Sequence, residues 1–225
     1  MASSAGKPAP EQRDNGLVWP VLVAVGLTLL LLPLDPGLRT LLQFRQLAPF
    51  WQFSRAGGLL AYLCLWLGVL SGIVIHLKLK LPGWLQPLLL DLHQWGAAWA
   101  AWVGFFHGMV LLFDHYVGFS WVELAVPFAS HYQRLLTGLG TIAFYGLLLI
   151  LLSTYLRAFI SNRAWKTLHL LSYPFYAVAL IHGAVLGTDT ALGWVRVLYL
   201  GSAAVLLLPV LTRLARSTRL ATGSL

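Results

Sequence analysis

Four histidines in apolar stretches of the chain are the residues best suited to chemistry. His93 and His107 lie in one stretch, and His169 and His182 lie in another. An ionisable side chain is costly in hydrocarbon, so histidines inside predicted membrane helices indicate a functional site. Within each pair the histidines are 14 and 13 residues apart, respectively. Either step corresponds to about 20 Å along a helix, which is most of a bilayer core of about 30 Å.

Two such helices can hold two metal centres, one near each face of the membrane. Neutral imidazole is a strong axial ligand for haem iron, and two imidazoles give a six-coordinate, low-spin iron suited to electron transfer. The spacing therefore predicts two haems stacked between the helices. On a straight helix the 14-residue step keeps both histidines on one face, whereas the 13-residue step leaves His169 and His182 about 140° apart. Pro174 lies between these two, and the kink that proline causes would allow both rings to face the same neighbour.

The composition is that of an integral membrane protein. Of the 225 residues, 59% are hydrophobic and 10% are charged, whereas a soluble domain carries about 25% charged residues. The net charge of +8 fits the Lys/Arg excess of cytoplasmic membrane flanks, and we expect no nucleic-acid partner. The single cysteine, Cys64, excludes a disulfide framework.

Six apolar segments are each near or above the roughly 20 residues that a transmembrane helix needs. They cover 17–34, 56–77, 85–113, 135–158, 167–187 and 192–212. The expected fold is an all-α integral membrane protein, a bundle of six transmembrane helices with two haems between the third and fifth. The expected organisation is a disordered cytoplasmic tail over 1–16, the six-helix membrane domain over 17–213 and a short basic cytoplasmic tail over 214–225.

Positive charge predicts the orientation. Of the 15 Lys and Arg residues, few fall in the loops opposite the termini: Arg39, Arg45, Arg55, Arg134 and Arg196. The positive-inside rule then predicts a multi-pass protein of a prokaryotic plasma membrane with both termini in the cytoplasm. In this orientation His93 and His169 lie toward the cytoplasm, and His107 and His182 lie toward the exterior.

The histidine spacing and its surroundings resemble a known family. His-x13-His and His-x12-His occur together with the segments SRAGGLLAYLCLWLGVLSG, LDLHQWGAAWAAWVGFFHG and WKTLHLLSYPFYAVALIHG. From about 55 to 212 the chain resembles the membrane domain of the ferric reductase and NADPH oxidase family, a six-helix core with two b-type haems. The resemblance implies that His93 and His169 bind the inner haem iron, and that His107 and His182 bind the outer one.

The same resemblance suggests roles for two further residues. Phe175 falls where the NADPH oxidases place an aromatic side chain between the haems. Arg55 resembles an arginine that neighbours the outer haem, and a plain interfacial anchor is an equal alternative for it.

The chain departs from the long members of that family after the sixth helix. There a cytoplasmic FAD- and NAD(P)H-binding domain follows, whereas only RLARSTRLATGSL follows here. No Gly-rich nucleotide fingerprint fits in that segment, so we expect no flavin site within this chain. A separate donor is then expected: a flavoprotein, a diffusible reduced flavin or a quinol. The chain also resembles a short relative, the haem-binding membrane subunit of the periplasmic methionine sulfoxide reductase system.

The predicted function is that of a di-haem b-type cytochrome, a ferric reductase-like oxidoreductase or its electron-transfer subunit. It would carry single electrons across the membrane, from a cytoplasmic-side or quinol donor to an extracytoplasmic acceptor. One alternative is a haem-binding anchor that feeds electrons to a periplasmic reductase. The other is a haem-free transport protein whose histidines conduct protons or metal ions.

Several polar residues outside the histidine pairs have two interpretations each. His115 and His131 bracket the segment 115–132, which is too short and polar to cross and is expected to form an interfacial helix or cap. They are expected as solvated groups, with a role at the outer haem edge as the alternative. Arg157, Arg163 and Lys166 would either pair with inner-haem propionates or serve as membrane anchors.

Overall fold

The computed structural model describes residues 49–204 and 207, and these residues form helices with no strand among them. Six helices are α1 (Pro49–Leu77), α2 (Leu85–Val110), α3 (Trp121–Ala125), α4 (Arg134–Tyr155), α5 (Asn162–Leu170) and α6 (Ser172–Leu186). A further helix, α7, begins at 193 and is described to 204. Short 3₁₀ turns follow α2, α4 and α6, at Leu111–Phe113, Leu156–Phe159 and Thr188–Ala191.

Four stretches of the described chain are long and apolar enough to cross a membrane. They are Phe50–Leu77, Leu85–Phe113, Arg134–Phe159 and Asn162–Leu186. The predicted all-helical fold and four of the six apolar segments are thereby confirmed. The segment 17–34, the tails 1–16 and 214–225 and part of the segment 192–212 lie outside the described residues, so the bundle of six stays a prediction.

The outward faces of these helices carry large apolar side chains. Leu152 in α4, Val185 in α6 and Leu200 in α7 are each more than half exposed. Burial of such side chains in hydrocarbon is favourable by about 1.5–3 kcal/mol each. The outer surface of these helices is therefore suited to contact with membrane lipid.

Helices α1 and α2 pack closely because glycines face each other. A Cβ atom on Gly96 would lie 3.0 Å from the Cys64 carbonyl oxygen and 3.2 Å from the Gly68 nitrogen. Small residues of this kind let membrane helices approach backbone to backbone. The approach fixes α1 against the face of α2 that carries His93 and His107.

The break between α5 and α6 falls at Leu171, within the fifth predicted segment, 167–187. The Leu171 N–H turns back to the Leu168 carbonyl oxygen at 3.0 Å, and α6 begins at Ser172. Pro174 then occupies the first turn of α6, where its missing N–H and fixed φ are tolerated. The helix is therefore interrupted between His169 and His182, at Leu171 and not at Pro174 itself.

A buried hydroxyl cluster joins α1, α6 and α7. The Tyr62 hydroxyl lies 3.1 Å from that of Tyr176 and 2.5 Å from the Ser202 hydroxyl. Tyr176 and Ser202 are essentially inaccessible to solvent, so these bonds satisfy groups that would otherwise be costly to bury. Tyr199 packs edge-on against Tyr62, with 4.9 Å between the ring centres.

We expect Tyr62→Phe to destabilise this junction. The variant keeps the ring but leaves two buried hydroxyls with fewer partners, which costs about 1–3 kcal/mol. Since 1 kcal/mol lowers the melting temperature of a chain of this size by about 2–4 °C, thermal unfolding in detergent should detect it. Tyr116→Phe is the control because Tyr116 is 90% exposed. Melting of Tyr62→Phe together with wild type would contradict a stabilising role for the cluster.

The segment between α2 and α4 folds into a cap that docks on α4. Ser120 and Glu123 form a capping box at the start of α3, the pattern that satisfies the first helical N–H groups. Side chains of α4 donate hydrogen bonds to carbonyls of the cap: Thr137 Oγ1 to Tyr132 (2.8 Å), Thr141 Oγ1 to Leu124 (3.1 Å), the Tyr145 hydroxyl to Ala125 (2.5 Å) and Arg134 Nε to Phe128 (2.6 Å). We call residues 114–133 the cap segment below.

Candidate functional site

The structure brings the four predicted histidines together as two cross-helix pairs. His93 of α2 faces His169 of α5, with ring centres 5.7 Å apart and ring planes at 73°. His107 of α2 faces His182 of α6 at 6.2 Å and 74°. The 14-residue step keeps His93 and His107 on one face of α2. The break at Leu171 lets His169 and His182 both face that side of α2.

The ring separations suit a metal ion held between two imidazoles. A metal–imidazole nitrogen bond is about 2.0 Å long, so two such bonds on opposite sides of an iron place ring centres about 6 Å apart. The observed separations of 5.7 Å and 6.2 Å lie close to that value. Edge-on contacts between aromatic rings have the same distances and angles, so the ring nitrogens and their partners decide whether each pair can hold a metal.

Three of the four histidines donate their Nδ1–H group to a backbone carbonyl. The acceptors are Gly68 for His93 (2.8 Å), Ser54 for His107 (2.7 Å) and Leu136 for His182 (2.8 Å). Because a carbonyl oxygen only accepts hydrogen bonds, Nδ1 carries the proton and the Nε2 lone pair of the neutral ring is available. A ligating histidine in a metalloprotein is oriented in this way. Within the described chain, no protein group hydrogen-bonds Nε2 of these three rings.

The same three rings lie against glycines of a neighbouring helix. A Cβ atom on Gly72 would lie 2.7 Å from the His93 ring, and one on Gly140 would lie 2.6 Å from the His182 ring. At Gly58 the distance to the His107 ring would be 3.0 Å. Each glycine therefore leaves the space into which an imidazole fits against the helix backbone.

His169 is the exception among the four. Its Nδ1 atom is buried and has no hydrogen-bond partner in the described residues. Its ring instead stacks on Trp165, with 5.0 Å between ring centres and 21° between planes.

A cavity of about 410 Å³ opens beside the second pair. His107 and His182 both line it, together with Phe105, Phe144 and Leu147. Cofactor sites in proteins are typically about 300–1,000 Å³ and mostly apolar. The cavity therefore has the size and lining of a cofactor site at the His107/His182 level.

The predicted accessory residues Phe175 and Arg55 occupy different positions. The Phe175 ring packs on the backbone of α4, where a Cβ on Gly146 would lie 2.2 Å from it. Arg55 lines the cavity and pairs with Asp189 of the turn after α6, through Nε to Oδ2 at 3.1 Å and a second contact to Oδ1.

Sequence reasoning missed Asp189 as a partner of Arg55. The available signal was Arg55 itself, because a guanidinium at the end of an apolar helix needs a counter-charge. Spacing does not show which of the acidic residues supplies it.

The basic residues Arg157, Arg163 and Lys166 are all exposed. They differ in that the Arg157 guanidinium carbon lies 4.2 Å from the centre of the Trp165 ring. No group of three or more His, Cys, Asp or Glu side chains forms a metal site among the described residues. The histidine pairs are thus two-ligand arrangements.

His131 pairs with Glu123 within the cap segment, and His115 is exposed. The Glu123 carboxylate also accepts from the His131 N–H at 3.0 Å and the Ser120 N–H at 2.9 Å. The His131 backbone and imidazole bonds, followed by those from Ser120, lower the pKa of Glu123 to about 2. The bond to Glu123 raises the pKa of His131.

We expect order in the cap segment to depend on pH. His131 has a raised pKa when folded, so its contribution is complete below its ordinary pKa of about 6.5 and is lost as pH rises through the raised value. Glu123 has a lowered pKa, so its contribution is present above about pH 4.3 and is lost as pH falls toward about 2. Protection of the cap amides in hydrogen exchange should therefore be greatest between about pH 4.3 and 6.5. Glu123→Gln should flatten the profile; an unchanged profile would contradict the coupling.

Comparison of the chain with family models, curated proteins and solved structures finds no match. Membership of the ferric reductase and NADPH oxidase family accordingly stays an expectation from the quoted segments. The geometry of the two histidine pairs is the basis for assigning a function.

Proposed function

We propose that this chain is a di-haem b-type membrane cytochrome that carries single electrons across the plasma membrane. His93 and His169 would hold one haem, and His107 and His182 would hold the other. The donor would be a cytoplasmic-side flavoprotein, a reduced flavin or a quinol, and the acceptor would be extracytoplasmic. The predicted orientation, with both termini in the cytoplasm, belongs to the same proposal.

The observation that carries the proposal is the arrangement of the ring nitrogens. Two cross-helix pairs have centre distances of 5.7 Å and 6.2 Å, and three of the rings have Nδ1 bonded to a carbonyl with Nε2 left for a ligand. A proton path gains nothing from rings fixed in one tautomer, because relaying a proton requires both nitrogens to exchange it. Fixed rings favour metal ligation.

The chain's own residues have separable tasks in this proposal. Haem iron with two imidazole ligands supplies one-electron chemistry without an open coordination position. The carbonyls of Gly68, Ser54 and Leu136 orient the rings, and the apolar lining of the cavity excludes water. Phe144 and Leu147 belong to that lining on the α4 side. The protein thereby sets the ligand geometry and the surrounding polarity, which tune a haem's potential.

The test is a reduced-minus-oxidised spectrum of the purified chain with the haem content measured as pyridine haemochrome. A b-type spectrum with about two haems per chain is expected for two two-histidine sites. One haem per chain would favour the haem-binding subunit of a periplasmic reductase, and co-purification of a periplasmic enzyme would support that reading. A colourless protein after expression with added haem would overturn the proposal and leave proton or metal-ion transport.

A further inference from the structure

His169 is held differently from the other three histidines. Its Nδ1 atom has no hydrogen-bond partner among the described residues, and no described glycine lies against its ring. Something other than a carbonyl must therefore orient this imidazole. The missing bond is confined to His169, because the Nδ1 atom of His93, on the other side of the same pair, lies 2.8 Å from the Gly68 carbonyl oxygen.

Trp165 is placed to orient His169. The two residues are four apart on α5, so their side chains lie on one helix face. The rings are nearly parallel at 21°, with centres 5.0 Å apart, an offset-stacked geometry that aromatic pairs prefer. Stacking restricts rotation of the imidazole about its χ2 bond in the way that a hydrogen bond restricts the other three rings.

Arg157 adds a positive charge to this stack. Its guanidinium carbon lies 4.2 Å from the Trp165 ring centre, well within the roughly 6 Å that defines a cation–π contact. Arg157 comes from the turn after α4 and Trp165 from α5, so the contact joins two elements. Arg163 lies on α5 and has no such ring contact among the described residues.

We propose that Trp165 and Arg157 are positioning residues for His169, and that the Arg157 charge raises the reduction potential of the iron bound by His93 and His169. This inference rests on the proposed function. Reduction of ferric to ferrous iron adds one electron and lowers the local positive charge by one, so a fixed cation nearby favours the reduced form. The unbonded Nδ1–H acts in the same direction, since a carbonyl partner would make the ligand more basic.

The experiment uses the His107→Ala background, in which only the His93/His169 haem is expected. Optical redox titration should show that Arg157→Gln lowers the midpoint potential of that haem, and that Arg157→Lys retains most of the wild-type value. Arg163→Gln is the matched control because it removes the same charge from α5 without disturbing a stack.

Trp165→Leu should lower the potential and shift the low-field electron paramagnetic resonance signal, which reports the angle between the two imidazole planes. Trp165→Phe should largely restore both.

The outcomes for the Arg157 and Trp165 variants distinguish failure of this inference from failure of the proposed function. A haem with unchanged potential and unchanged resonance signal in Arg157→Gln and Trp165→Leu would overturn this inference and leave the proposed function intact. Equal shifts in Arg157→Gln and Arg163→Gln would show a general charge effect and would also overturn it. A wild-type protein without haem would overturn the proposed function and this inference together.

Discussion

His107→Ala is expected to halve the haem content of the protein, from about two to about one per chain. The imidazole is one of two ligands at its site, and a methyl group cannot replace its nitrogen. His93 lies 14 residues earlier on α2 and has its own hydrogen bond to Gly68, so the haem of the His93/His169 pair should be retained with an unchanged b-type spectrum. Pyridine haemochrome on protein of known concentration measures the ratio.

Variants at the partner positions sharpen this prediction. His182→Ala should remove the same haem as His107→Ala, so the double variant should still hold about one haem, because residues acting as a unit are non-additive. His93→Ala should remove the other haem. His115→Ala is the control, since His115 is exposed in the cap segment. Full haem content in His107→Ala, or removal of different haems by His107→Ala and His182→Ala, would contradict the pairing.

The predicted orientation of the helices matched the histidines by depth, and the family resemblance paired them as the structure does. A 14-residue step on a regular helix keeps His93 and His107 on one face, and Pro174 signalled that the second pair need not follow a straight helix. Helix α5 ends at Leu170 and the break lies at Leu171, three residues before the proline. The rings of His169 and His182 then both reach α2. Helical periodicity and one helix-breaking residue thus supported the prediction that both histidine pairs meet between the helices.

The features that orient the rings were not predictable from spacing. Hydrogen bonds from His93 to Gly68 and from His182 to Leu136 join a side chain to a backbone carbonyl on another helix. Such contacts depend on helix crossing angle and rotation, which a single sequence does not specify. The resemblance named Phe175 and Arg55 but gave no indication of the Trp165 stack. Membrane orientation and the helix over 17–34 stay predictions, because charge asymmetry and hydropathy alone support them.

Gly140→Ala is expected to remove haem from the His107/His182 pair. The added methyl group would lie 2.6 Å from Cε1 and 2.9 Å from Nε2 of His182, distances at which the ring must move. The ring is also fixed by its bond to Leu136, one turn earlier on α4, so it cannot move without losing its orienting carbonyl. Loss of such a partner typically lowers metal affinity about 10–100-fold. Titration of the haem-depleted protein with haem should show this loss at one of the two sites.

Replacing glycine by alanine distinguishes loss of haem binding from misfolding of the protein. Alanine is a better helix former than glycine by about 1 kcal/mol, so Gly140→Ala should not weaken α4 itself. Gly201→Ala is the matched control, because Gly201 lies in α7, does not line the cavity, and nothing lies within 4 Å of its added Cβ. Gly72→Ala should instead affect the other pair, since its Cβ would lie 2.7 Å from the His93 ring. If Gly140→Ala and Gly72→Ala each weaken a different haem while Gly201→Ala weakens neither, the glycines act by making room for the ligand rings. Wild-type affinity at both sites in all three variants would show instead that they serve helix packing alone.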